Sequence, residues 1–159
     1  MKKSAIRDAI LAQLQAELAL QTGAALLARD EAISPESRAE NKYDTHSQEA
    51  AYLAEGQARL AGEIETSLAH YAAMPLPAFG PDEPVALGAV VELGTRGKSA
   101  WYFLGPRGGG LEVQLDGHTL LVLTPQSPLG RALLGRRMGD VIRAPGRGGM
   151  VEHRVLSVA

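Results

Sequence analysis

The chain has 159 residues, a formal net charge of -2 and no cysteine. That length suits one ordinary domain or two small ones, and the charge argues against a broad basic nucleic-acid-binding surface. The missing cysteines exclude disulfides and thiolate metal sites.

From the first residue, MKKSAIRDAI lacks the apolar core of a signal sequence. No apolar run reaches the roughly 20 residues of a membrane span. A soluble, cytoplasmic protein with no membrane partner is therefore expected. The spacing predicts a helix over residues 4–29, where Ile6, Ile10, Leu14 and Leu18 recur every fourth residue among many alanines and no proline. A short connection, Asp30–Ser34, follows. Ser34 suits an N-cap and Pro35 the first helical position of a second helix, which runs from Pro35 to Tyr71. Its apolar residues Leu53, Leu60, Ile64, Leu68 and Tyr71 form a narrow, coiled-coil-like stripe. Neither helix can bury its stripe alone, so the short connection makes the two antiparallel neighbours. Residues 1–73 are expected to be a helical hairpin with an acidic tip.

Pro75, Pro77, Pro81 and Pro84 with Gly80 mark residues 74–84 as a linker. Beyond it the periodicity changes. Strands are expected over Val85–Leu93, Ser99–Leu104, Leu111–Leu115 and Thr119–Leu123, the last two joined by an Asp116-Gly117 turn. Ser127-Pro128 opens a short helix through Leu134, stopped by Gly135. Gly139–Arg143 and Met150–Val158 are the final strands, joined by a Pro145-Gly146 turn. The expected fold class is α+β: an antiparallel coiled-coil hairpin followed, over residues 85–159, by an antiparallel sheet with one short helix. Charge divides along the same line. Residues 1–72 hold 7 Lys/Arg against 11 Asp/Glu, and residues 73–159 hold 9 against 7, an acidic hairpin joined to a mildly basic domain.

The candidate chemistry lies at the hairpin tip. Glu36, Glu40 and Asp44 are four residues apart, on one face of a helix. Solvated surface accounts for such a pattern. So does a group of hard oxygen donors that completes the shell of a Mg²⁺ held by another protein or orients an attacking water. Elsewhere the bland readings are stronger. His118 and His153 lack a second ligand at metal-binding spacing, and His46 and His70 fit solvated or stripe-edge positions. Ser127 is explained by capping. The glycines of GPRGGG and PGRGG lack the spacing of a nucleotide loop and read as turns. Trp101–Phe103 alternates as a strand does between two faces.

Ser127–Ile142, SPLGRALLGRRMGDVI, resembles the C-terminal signature of the bacterial Gre (GreA/GreB) transcript cleavage factors. Ser127, Pro128, Arg131, Ala132, Leu133, Gly135, Gly139 and Asp140 carry the match, and Glu40-Asn41 resembles the Glu-Asn pair at the Gre tip. The resemblance implies an FKBP-like C-terminal domain used for docking rather than prolyl isomerisation. It implies bacterial RNA polymerase as partner, bound at the rim of its secondary channel, with the coiled coil entering that channel. In this family acidic tip residues help hold the polymerase's second Mg²⁺ and a water, and the polymerase then cleaves the 3′ end of backtracked RNA. The factor would be an accessory with no cofactor of its own, not an enzyme. Carried onto this sequence, Glu40 and Glu36 are the metal- or water-positioning residues and Asn41 supports them. The tip departs from the family at Ser37, where Gre factors carry an aspartate, and at Tyr43, which follows Asn41 by two residues instead of three. Asp44, Asp30 and Glu31 are further acids near the tip. A secondary-channel regulator without cleavage activity is the alternative that Ser37 suggests.

Overall fold

The computed structural model describes residues 1–35 and 46–159. The chain divides into two units, one of Leu11–Ala69 and one of Met1–Ile10 with His70–Ala159.

The first unit is built from two long helices, α1 (Lys3–Ile33) and α2 (His46–Ala73), whose ends reach into the second. As expected for α1, Leu14 is buried and Leu18 half-buried, and near its start Ile6 and Ile10 are fully buried. On α2 the buried side differs from the expected stripe. Leu53 and Leu60 are exposed, whereas Ala50, Ala54, Gln57, Ala61, Ile64 and Leu68 are buried or half-buried. These alternate at spacings of four and three, the seam of a heptad pattern. On α1 the matching set is Leu11, Leu14, Leu18, Gln21, Ala25 and Ala28. Hydrophobicity alone selected the leucines, while the seam in this half of α2 is carried by alanines. Small residues let two helices approach closely, and Ala25 and Leu26 share a groove with Ala54, Ala58 and Ala61.

The second unit contains a six-stranded sheet of β1 (Val90–Thr95), β2 (Lys98–Leu104), β3 (Glu112–Leu115), β4 (His118–Leu123), β5 (Val141–Gly146) and β6 (Gly149–Val158), in the order β3-β4-β2-β1-β6-β5. A short helix, α3 (Pro128–Leu133), packs on it. The α+β class and the single short helix match expectation. The sheet is mixed, however, because β2 and β4 run parallel, with Trp101 opposite Leu120 and Phe103 opposite Val122. Local turns are legible as hairpins, and β3–β4 is the antiparallel hairpin predicted at Asp116-Gly117. The β2–β4 pair is not local. The loop over residues 105–111 carries the chain past β4's place to the sheet edge, and β4 returns in the direction of β2.

Two strand ends also shift. Val85 lies before β1 and bonds α3's exit instead: its N–H donates to the Arg136 carbonyl at 2.7 Å, and its carbonyl accepts from Gly135 N–H at 2.9 Å. The β5–β6 turn is Arg147-Gly148, with Pro145 and Gly146 inside the strand pairing. Proline is tolerated there because β5 is the sheet's edge, where a missing N–H breaks no second ladder.

Alternation divides the sheet's residues between two faces. Val91, Leu93, Leu104, Val155 and Ile142 form one core with Val85, Ala89 and Leu133 of α3. Val90, Phe103 and Val122 lie in register on the opposite face, all at most 2 % exposed. Tyr71, at the end of α2, closes near this side: its hydroxyl donates to the Arg107 carbonyl at 2.6 Å. A Cβ at Gly105 would overlap that hydroxyl, so the GPRGGG stretch is a packed loop folded around a tyrosine. The proline-rich segment is held as well. Lys3 donates to the Pro77 carbonyl and sits 4.3 Å over the Phe79 ring, a cation–π contact. Arg137 donates to the Asp82 carbonyl.

Candidate functional site

The predicted tip residues Glu36, Glu40 and Asn41, together with Ser37, Tyr43 and Asp44, lie outside the described residues. Their described flank is the end of α1, where Asp30 and Glu31 are exposed and Ser34 N–H donates to the Glu31 carbonyl at 3.3 Å. Among the described residues no group of three or more His, Asp or Glu side chains is placed to hold a metal ion.

The signature Ser127–Ile142 is fully described, and most of its marked residues have a local reason to be there. Ser127 is the N-cap of α3: its hydroxyl accepts from Gly130 N–H at 3.1 Å and donates to the Thr124 carbonyl at 2.8 Å. That double use ties the helix start to the preceding turn and satisfies an otherwise free N–H. Pro128 occupies the first helical position. A Cβ at position 130 would overlap the Thr124 carbonyl oxygen, so only glycine lets the turn close. Leu133 is buried in the core, and Gly135, at φ +76°, is the residue that stops the helix. Asp140 then caps the next turn, its carboxylate accepting from Arg137 N–H at 2.9 Å. Gly139 N–H donates to the Val155 carbonyl, and Val155 N–H to the Asp140 carbonyl, both at 2.8 Å, fastening the segment to β6. The frame leaves Arg131, Leu134, Arg136, Arg137 and Met138 exposed. Cations beside large apolar side chains on a rigid frame make a surface suited to a protein partner.

The isolated histidines are explained structurally. His153 Nδ1 is 2.5 Å from the Thr95 hydroxyl, and burial pulls its pKa below the ordinary histidine value. His118 packs its ring against Trp101, centroids 5.5 Å apart. Burial also raises the Tyr71 and Tyr102 hydroxyls above their ordinary pKa, so both remain protonated at neutral pH. The roles of Tyr71 and Lys3 were not foreseen from sequence, because both depend on partners more than 30 residues away. No helix among the described residues is long and apolar enough to cross a membrane.

Comparison with known proteins gives a family match over residues 81–159, to the C-terminal domain of the transcription elongation factors GreA/GreB. No curated protein matches the chain. Among solved structures, GreA factor homolog 1 (Gfh1) of Thermus thermophilus is 23% identical, with 96% of this chain and 94% of that one covered and a TM-score of 0.39. Gfh1 of Thermus aquaticus is 25% identical over 94% and 90%, with a TM-score of 0.40. The GreA/GreB elongation factor of Nitrosomonas europaea is 23% identical over 62% and 78%, also with a TM-score of 0.40. Similarity this loose adds no functional weight to the family match.

Proposed function

From the premise that residues 81–159 belong to the GreA/GreB family of transcription elongation factors, we propose that this chain binds bacterial RNA polymerase through its secondary channel and stimulates cleavage of backtracked transcripts. The family match, seated on the Ser127–Ile142 frame, is the observation that carries this reading. The sheet unit docks at the channel rim, and the helical hairpin carries the tip toward the polymerase active site and the RNA 3′ end. The factor is an accessory to the polymerase's own nuclease chemistry.

The tip chemistry follows from donor type. Glu40 and Glu36 supply the hard carboxylate oxygens that Mg²⁺ takes while keeping several waters, and Asn41 orients them. The polymerase's own Mg²⁺ supplies Lewis-acid stabilisation of the phosphoryl group when present. The chain's residues contribute an added negative charge and a hydrogen-bond acceptor that positions water.

The test is RNA cleavage in a stalled, backtracked polymerase complex with Mg²⁺, with and without this protein. Cleavage should accelerate, and Glu40→Ala should remove the acceleration while binding persists. Loss of binding together with cleavage would leave Glu40 without a positioning role. Ser37, in the position where family members carry aspartate, favours a second reading, a channel-binding regulator without cleavage activity. Under that reading the natural protein binds without accelerating cleavage, and Ser37→Asp confers it.

A further inference from the structure

One face of the helical hairpin carries an open groove of about 350 Å³ between α1 and α2. Ala25, Ala54, Ala58 and Ala61 line its apolar part with Leu26, which is 55 % exposed. Its charged residues are Arg29 and Glu65. Both are exposed, and neither has an ion pair or a hydrogen bond among the described residues. Their own helices offer them none. No charged residue stands three or four places from either one, so neither can form a helical ion pair.

The two charges sit at opposite ends of the groove. α1 runs into the connection between the helices and α2 runs out of it. Arg29, the last groove residue on α1, is therefore at the same end as Ala54, the first on α2. Glu65 is eleven residues beyond Ala54, about 16 Å along the helix at 1.5 Å per residue. A groove with a cation at one end, an anion at the other and an apolar middle is complementary to itself turned end for end. A two-fold axis lying across the hairpin, at right angles to its length, turns a second copy that way. It brings Arg29 of each copy level with Glu65 of the other, so that every contact occurs twice, as an isologous interface requires.

We infer that this groove binds a second copy of the chain. Two hairpins lie face to face and antiparallel, Leu26 of each packs against the alanine-lined groove of the other, and an Arg29–Glu65 pair closes each end. The planar fork of arginine can take a carboxylate in two hydrogen bonds. Such a short contact buries less than the roughly 1,200–2,000 Å² of a standard interface, so the pair forms reversibly and depends on concentration. The inference does not rest on the polymerase reading.

The test is sedimentation equilibrium of the full chain over a concentration series, beside Arg29→Glu, Glu65→Arg and the double reversal. The unaltered chain should rise from its 16.8 kDa mass toward twice that value. Each single reversal sets like charges together and should weaken association at least about tenfold. Glu65→Arg makes the chain less negative, so general repulsion alone would strengthen association there instead. The double reversal exchanges the two ends and should restore the pair. Gly62→Leu supplies a steric check within the same groove. A Cβ at position 62 meets no atom of its own chain within 4 Å, and leucine favours helix over glycine. Its thermal midpoint in dilute solution should hold or rise while association is lost. A chain that stays monomeric at every concentration would overturn the inference and leave the groove to a different protein. Association that survives the single reversals, or a double reversal as weak as the singles, would overturn it as well.

Discussion

Leu133 and Leu27 are the same side chain, each on a helix, yet the first is 1% exposed and the second 74%. The contrast extends to the units that hold them. In the sheet unit, apolar residues from five strands, α3 and the segment before β1 converge into a shared core. In the hairpin unit the buried seam is largely alanine between Ala25 and Ala61, and Leu20, Leu26, Leu27, Leu53 and Leu60 face out. A two-helix seam of small residues removes little apolar area from water, and stability scales with that area. The hairpin unit is thus the less stable of the two, the place where local opening is cheapest.

The sharpest way to break this comparison is a matched pair of truncations. Leu133→Ala should destabilise the protein by about 3 kcal/mol, the usual cost of a buried leucine. Leu27→Ala should fall within about 0.5 kcal/mol of the unaltered chain, as exposed substitutions do. Urea unfolding followed by circular dichroism and by Trp101 fluorescence measures both. A comparable loss at Leu27 would mean that the exposed leucines are covered in solution and that the hairpin is not the weaker unit.

The same contrast explains what was legible in the sequence. The sheet unit announces itself through residues that act locally: Asp116-Gly117 as a hairpin turn, Ser127-Pro128 as a cap, Gly135 as a stop. Each is decided within a few residues, and each is found where expected. What depended on distant partners was missed. The parallel β2–β4 pairing is set by a long loop, Val85 is claimed by residues 50 positions on, and Pro145 stays inside a strand because β5 is an edge. In the hairpin the strongest hydrophobes misdirected the reading. Leu53 and Leu60 keep heptad spacing with each other, but the alanines one place away carry the contact. The predicted tip, Glu36, Glu40 and Asn41, falls outside the described residues.

A smaller effect lies within the sheet unit, at the end of α2. Tyr71 is on α2, fully buried, and its hydroxyl holds the Arg107 carbonyl. Tyr71→Phe keeps the ring and removes that bond, leaving the carbonyl without it. About 1 kcal/mol should be lost, the typical net worth of an intramolecular hydrogen bond. Amide exchange should speed up in the 105–110 loop while the amides of residues 20–30 keep their rates. Faster exchange in both places would mean that the hairpin's order depends on this anchor.

The smallest expected effect is a pH dependence confined to the sheet unit. Burial lowers the pKa of His153 below its unfolded value of 6.5. A base with a depressed folded pKa binds its proton more readily when unfolded. Stability is therefore complete above the unfolded value and falls as the pH drops below it, until the folded form is protonated too. Protonation would add charge beside Arg96 and Arg147, which line the same cleft, and would disturb the bond to Thr95 where Nδ1 accepts from the hydroxyl. The thermal midpoint should be lower at pH 5.5 than at pH 7.5, and the gap should narrow in His153→Gln, which still offers Thr95 a polar partner but does not titrate. An unchanged gap in His153→Gln would show that His153 is as well solvated folded as unfolded, and that the pH response arises elsewhere.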